Sequence, residues 1–299
     1  MAQLFVPLAG AFQKVAGSGF NTYGENLDKP QWQGCEIGFC DTFPDVLGAV
    51  AEAEFHDWII GVHHPLFLEK GPPWARFLHP DAAAREEALK VAATSAVAAH
   101  HLGARYILYH FPWPYVQMEG RDYRQDGWYF TEPQAELLED WPEAKMYEVS
   151  RRVFERMAEV QEKEKIRIIF EIDGPNPYFF DGEMYTRLFE EFPDLSLCVD
   201  TGRLSFLART HGQDPLALAK RWLPWTRHLH LSAARWDEFG KVANHIPVAP
   251  TDMAAEVARM VVAAQPRATI VMEHNPRKVT ADELERTHDW VSTLAKGVK

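Results

Sequence analysis

Four segments of the chain end an apolar run with a residue able to ligate a metal: IIFEID with Glu171, LCVDTG with Asp200, HLHLSA with His230 and IVMEHN with Glu273. Three carboxylates and an imidazole suit one hard or borderline divalent cation, Mn²⁺, Mg²⁺, Co²⁺ or Zn²⁺. The anionic oxygens offset its charge and a neutral nitrogen completes the sphere. A cation holding a carbonyl and an adjacent hydroxyl oxygen would stabilise an enediolate, while a carboxylate on each side removes or returns the proton. Taken singly, an acidic residue at a strand end is more often a helix cap or a salt-bridge partner. Four in register argue for a site.

The gaps between these residues are 29, 30 and 43 positions, about the length of one strand, one helix and two loops in a barrel of alternating elements. Such spacing converges them on one mouth. Eight apolar runs qualify as strands, at 4–10, 35–40, 57–64, 105–111, 166–172, 195–200, 228–233 and 268–274. Their near-continuous apolarity is what strands of a parallel sheet covered on both faces display. Helical periodicity is clearest at 80–102 and 133–165, with later stretches at 184–192, 214–223, 251–264 and 280–295. Asp214 before Pro215, and Thr280 with Glu283 three positions on, mark helix starts. Residues 11–34 carry several glycines and little periodicity, which makes the first βα unit the weakest. No linker divides the chain, so a single α/β domain over 1–299 is expected, a (β/α)8 TIM barrel.

Two connections are too long and aromatic for plain turns. They are 66–80 after the third strand and 112–130 after the fourth, both at the C-terminal face where barrel active sites form. Trp74, Trp113, Trp128 and Tyr129 there either form a lid that excludes water or cover apolar rim, and they are compatible with a homodimer contact. The formal net charge of −12 opposes a broad grip on nucleic acid, which rests on neutralising phosphates. The N-terminal MAQLFVPLAGAF has no basic leader region and no apolar run approaches bilayer length, so a cytoplasmic chain with no membrane partner is expected. Cys35, Cys40 and Cys198 are too few and too irregular for a disulfide framework, and nothing completes a zinc motif around the first two.

VDTGR at 199–203 resembles the VDTGH element of the xylose isomerase-like TIM-barrel superfamily (AP endonuclease family 2), which includes sugar epimerases, hydroxypyruvate isomerase, inosose dehydratase and endonuclease IV. HLSA at 230–233 is similar to its HIKD or HIGE element, and MEH at 272–274 to its last-strand glutamate; the resemblance runs over roughly residues 35 to 290. It implies one divalent metal on Glu171, Asp200, His230 and Glu273. It also implies proton transfer by Glu171 and Glu273 in an isomerase or epimerase of a small sugar or sugar-acid derivative, with a dehydratase or lyase as near neighbour. His230 is preferred to His228 because it directly precedes the matching LSA, although alternation puts both on one strand face.

His63 in VHHP, His110 in YHFP and Arg235 are candidates for substrate binding, as is His245 in NHIPVAP, which resembles the histidine of the superfamily's HxPxGxG loop. The alternative for each imidazole is a hydrogen bond to a carboxylate, and for Arg235 a surface position. His211, His228 and His274 read as structural, and Glu36 either orients His63 or makes a rim salt bridge. Where VDTGH ends in histidine this chain has Arg203, which cannot ligate a metal. The Asp-x-His pair and the loop glycines are also missing from KVANHIPVAP, so a trinuclear zinc cluster and phosphoester hydrolysis of the endonuclease IV type are disfavoured. The Arg203 guanidinium suits the carboxylate or phosphate of an anionic substrate. Alternatively it pairs with Asp200 or a glutamate and displaces the metal, leaving a non-catalytic sugar-binding barrel.

Overall fold

The computed structural model describes residues 1–9, 32–67, 75–113, 115–116, 135–136, 141–174, 176–275 and 280–297. The barrel strands are β1 (Gln3–Ala9), β2 (Trp32–Gly38), β3 (Ile59–His63), β4 (Tyr106–Phe111), β5 (Arg167–Ile172), β6 (Ser196–Asp200), β7 (Thr226–His230) and β8 (Thr269–Val271). All pair in parallel and close in the order β1-β8-β7-β6-β5-β4-β3-β2. This is the (β/α)8 barrel read from the sequence.

Eight helices are described: α1 (Phe43–Phe55), α2 (Ala82–His101), α3 (Glu143–Glu164), α4 (Glu183–Glu191), α5 (Thr201–His211), α6 (Pro215–Trp222), α7 (Met253–Ala264) and α8 (Ala281–Ala295). Their starts are locally encoded. Thr42 with Asp45, and Thr280 with Glu283, form capping boxes, and Asp214 caps α6 with Pro215 behind it. The long α3 buries Met146, Val153, Phe154, Met157 and Val160, a stripe at helical spacing. It begins ten residues later than the periodicity suggests. Pro142 stands extended at its N-cap, and Ala135–Glu136 instead pairs with Tyr115–Val116. The helices α1 and α5 were not among the expected stretches.

Alternation splits each strand between two cores. Ile168, Phe170 and Ile172 pack outward beneath the helices, whereas Ile169 joins Phe5, Tyr106, Leu108, Cys198 and Val271 in a plug inside the barrel. Toward the C-terminal end the inward side chains become ionisable: Leu108 gives way to His110, Ile169 to Glu171 and Cys198 to Asp200. Gly61 makes room in this plug, since a Cβ there would lie 2.1 Å from Cζ of Tyr106.

Of the expected aromatic rim residues, Trp113 is buried and its carbonyl accepts from the Leu78 amide at 2.8 Å, which makes it part of the packing. Trp74, Trp128 and Tyr129 lie outside the described residues. Among the described residues no helix is long and apolar enough to cross a membrane. The three cysteines are buried thiols.

Candidate metal centre

Strand register brings the quartet together. Asp200 stands opposite His230, Glu171 opposite Cys198 one strand away, and β8 runs beside β7 so that Glu273, two residues past Val271, arrives at the same level. One donor atom from each of Glu171, Asp200, His230 and Glu273 lies within 4.8 Å of every other. His230 Nδ1 is 3.3 Å from Oε1 of Glu171 and 3.5 Å from Oε2 of Glu273. Oxygen and nitrogen donors at about 2.0–2.2 Å from a tetrahedral cation stand roughly 3.3–3.6 Å apart, so the spacing fits. Chemistry fits too: His230 Nδ1, Glu171 Oε2 and Glu273 Oε2 are buried without a hydrogen bond from any described residue. Buried polar atoms are normally paired, and a shared cation is a partner that could serve all of them.

The VDTG segment builds one side of this cluster. Asp200 caps α5 through Oδ1, which accepts from the Arg203 amide at 3.0 Å. The Thr201 hydroxyl donates to the Ser232 carbonyl at 2.6 Å and accepts from the Ser232 amide at 3.0 Å, clamping the end of β6 to the chain leaving β7. Gly202 lets this happen closely, because a Cβ there would sit 3.1 Å from both Asp200 Oδ1 and Ser232 Oγ.

Electrostatics point the same way. Burial, with Glu171's charge behind it, pushes Asp200 up to about 6. Burial likewise drives Glu273 well above the carboxylate range, with Asp200 and Glu171 adding to it against the pull of His230. Glu171 resists burial because His110 and His230 hold it well below that range. Three carboxylates that cannot comfortably ionise together are what a divalent charge relieves.

A second group surrounds Glu171. Its Oε2 lies 3.4 Å from Nε2 of both His63 and His110, and those two nitrogens are 3.2 Å apart. His63 is fixed from behind through Nδ1, 2.9 Å from the His64 carbonyl. His110 is fixed through Nδ1 by a hydrogen bond with Asp173 Oδ2. The other Asp173 oxygen forms an ion pair with the Arg203 guanidinium, whose Nε lies 2.9 Å away. Burial would raise Asp173, but Arg203 and then His110 keep it low and ionised. Arg203 therefore spends its Nε on Asp173, and not on a quartet carboxylate.

Asp173 had not been singled out, although it lies two positions past Glu171 on the same strand face, a signal that alternation supplies. Glu36 is neither at the rim nor bonded to His63. It is buried in the barrel, with Oε1 3.0 Å from His230 Nε2 and Oε2 accepting from the Tyr106 hydroxyl at 2.9 Å. His228 sits one layer below the quartet, with Nε2 3.1 Å from Glu36 Oε2.

His245 reaches the site, its Nδ1 3.7 Å from Glu273 Oε2, on an antiparallel ribbon of Ala233–Trp236 and Val242–Ile246 that the sequence had not suggested. The same ribbon corrects the placement of Arg235. That side chain is half exposed and pairs with Asp252 at 2.7 Å, because the ribbon carries it out to the start of α7. His274 is buried and held neutral at about 3 by burial, then by His245, and His211 packs against Phe180.

The family model described as xylose isomerase-like TIM barrel matches residues 12–291. No curated protein matches the chain by sequence. Solved structures that superpose on it include the IOLI protein with a bound zinc atom, at 13% identity and TM-score 0.67 over 99% of both chains. Another is the 3-keto-D-glucoside 4-epimerase of E. coli, at 11% identity and TM-score 0.63 over 98% of this chain and 100% of that one. A third is D-psicose 3-epimerase from Clostridium cellulolyticum H10 with D-tagatose, at 12% identity and TM-score 0.60 over 99% of both. At such identities the superpositions speak for the fold alone. The family match covers nearly the whole chain, and on that ground the protein belongs to the xylose isomerase-like TIM-barrel family.

Proposed function

We propose that the protein is a divalent-metal-dependent isomerase or epimerase of a small sugar or sugar-acid derivative. The observation that carries this is the convergence of Glu171, Asp200, His230 and Glu273 within one cation's reach, with two glutamates among them. That sugar epimerases are among the superposing structures supports a sugar-like substrate. A cation bound by the quartet would supply Lewis acidity to the oxygens of a bound hydroxycarbonyl. Glu171 and Glu273 come from β5 and β8, with β6 and β7 between them, so their carboxylates flank whatever lies over the quartet. One removes the proton from the carbon beside the carbonyl and the other returns it, through an enediolate-type intermediate of the substrate. His63, His110 and His245 border the same carboxylates and would bind substrate hydroxyls. Arg203, anchored on Asp173, adds positive charge beside the site and favours an anionic substrate.

The test is solvent exchange. Candidate ketoses and sugar acids are incubated in D2O with metal-loaded enzyme, and deuterium entering the carbon beside the carbonyl is followed by NMR. Exchange is expected in the wild type and is lost in Glu171→Gln and Glu273→Gln; full activity in either variant removes the proton-transfer roles. A second reading, metal-assisted phosphoester hydrolysis, is favoured by one observation: the His63, His110 and Glu171 donors form a triangle with sides of 3.2 to 3.4 Å, room for another cation. Two metals per chain with phosphodiesterase turnover, and no exchange, would select it.

A further inference from the structure

We infer that Glu36 is a positioning residue that selects the tautomer of His230 and thereby the nitrogen this chain presents to a cation. The inference deepens the metal reading above and rests on it. A neutral imidazole carries one hydrogen, and the hydrogen bond made by one nitrogen decides what the other can do. His230 Nε2 is 3.0 Å from Glu36 Oε1. On its opposite side Nδ1 faces Oε1 of Glu171 at 3.3 Å and Oε2 of Glu273 at 3.5 Å, with no hydrogen bond to any described residue.

With the hydrogen on Nε2, it is donated to a carboxylate, which can only accept, and Nδ1 turns a lone pair toward the other three ligands. With the hydrogen on Nδ1, a lone pair at Nε2 would face carboxylate oxygen at 3.0 Å. The hydrogen bond to Glu36 therefore keeps the hydrogen on Nε2 when a cation takes the ring, so that Nδ1 is the nitrogen that ligates. A carboxylate behind a metal-bound histidine is a recurrent way to set its orientation and basicity.

Glu36 is itself held for this task. Its Oε2 takes the Tyr106 hydroxyl and lies 3.1 Å from His228 Nε2, which leaves Oε1 to His230. Tyr106 reaches it across the position where Gly61 lacks a side chain. Glu36 comes from β2 and His230 from β7, 194 residues apart, so the pair exists only once the barrel has closed. Because Glu36 is 4% exposed and lies behind the imidazole, it acts through His230 and not on a substrate.

The experiment uses the full chain and needs no substrate. Long-range ¹H–¹⁵N NMR of the zinc-loaded wild type reads the His230 ring, with the hydrogen expected on Nε2 and the zinc on Nδ1. Zinc affinity is then measured by chelator competition for the wild type, Glu36→Gln and Glu36→Leu. The Leu variant is expected to bind about 10–100-fold more weakly. The Gln variant should lose less, because its amide oxygen can still accept from Nε2. A hydrogen on Nδ1 in the wild type overturns the inference, as do affinities within twofold of the wild type in both variants. Equal losses in both variants also overturn it, since a packing defect would then be at work. A wild type that binds no zinc refutes the metal reading and this inference with it, whereas zinc bound equally well by the wild type and both variants overturns the inference alone.

Discussion

Replacing Gly61 with alanine tests whether the plug beneath the site is built as described. The added Cβ would lie 2.1 Å from Tyr106 Cζ and 2.3 Å from its hydroxyl oxygen. To regain ordinary contact at 3.4 Å the ring must retreat by about 1.3 Å. It has nowhere easy to go, being 1% exposed and packed among Phe5, Leu108 and Ile169. Overpacking of this kind costs about 1–3 kcal/mol. The retreat also strips Glu36 of its 2.9 Å hydroxyl donor, and a hydrogen bond to a charged group is worth about 1.5–3 kcal/mol. The sum is roughly 2.5–6 kcal/mol. With an unfolding entropy of about 2.1 cal/mol/K per residue, that lowers Tm by about 4–10 °C for a chain of this length. Scanning calorimetry of Gly61→Ala, Tyr106→Leu and the double variant separates clash from other causes, since alanine should cost under about 1 kcal/mol once the ring is gone. A Gly61→Ala protein within about 0.5 kcal/mol of the wild type, or an equal cost in both backgrounds, refutes the reasoning.

Metal should be visible as stability: zinc at about a hundred times its Kd adds about 2.7 kcal/mol, or about 4 °C in Tm. EDTA should reverse the shift, and no shift with Zn²⁺, Mn²⁺, Mg²⁺ or Co²⁺ argues against the quartet as a binding site. His64 is buried and burial, then His63 and His110, depress it to about 3. Its unfolded form takes up the proton first, so its contribution is complete above about pH 6.5 and is lost as pH falls from there toward 3. At pH 5 the loss is about 2 kcal/mol, and denaturant titrations should show the wild-type advantage over His64→Gln narrowing by that amount between pH 7 and 5. A gap that ignores pH contradicts the buried neutral state. Arg235→Ala should leave zinc affinity unchanged and cost under about 1 kcal/mol, because its ion pair with Asp252 is at the surface; a large loss of affinity would return Arg235 to the site.

The sequence made the barrel legible because parallel strands covered on both sides must be apolar along most of their length, and eight such runs stand out. It also exposed Glu171, Asp200, His230 and Glu273, since ionisable residues closing those runs are conspicuous. What it hid depends on partners distant in the chain. Glu36 acquires its role only when closure sets it against His230 and Tyr106. Arg235 was misplaced because a ribbon after β7 turns it outward, and ribbon pairing is a longer-range event than spacing from His230 can register. Two losses were avoidable in local terms. Thr42, Pro44 and Asp45 carry the start signals of α1, and Asp200, counted as a ligand, also caps α5.

Arg203 decides how these charges divide. Two carboxylates beside the quartet have partners of their own: Asp173 takes Arg203 and His110, and Glu36 takes the Tyr106 hydroxyl and His230 Nε2. The three quartet carboxylates are different. Glu171 Oε2 and Glu273 Oε2 have no hydrogen bond from any described residue, and Asp200 gives one oxygen to a helix cap while burial and Glu171 resist its ionisation. The protein thus satisfies the carboxylates around the site and leaves those within it in deficit. An arginine that paired with Asp200 or Glu273 would have erased that deficit and with it the reason to bind a cation. By closing on Asp173, Arg203 leaves a site with three carboxylates and one imidazole nitrogen facing them, the donor set a single divalent ion suits.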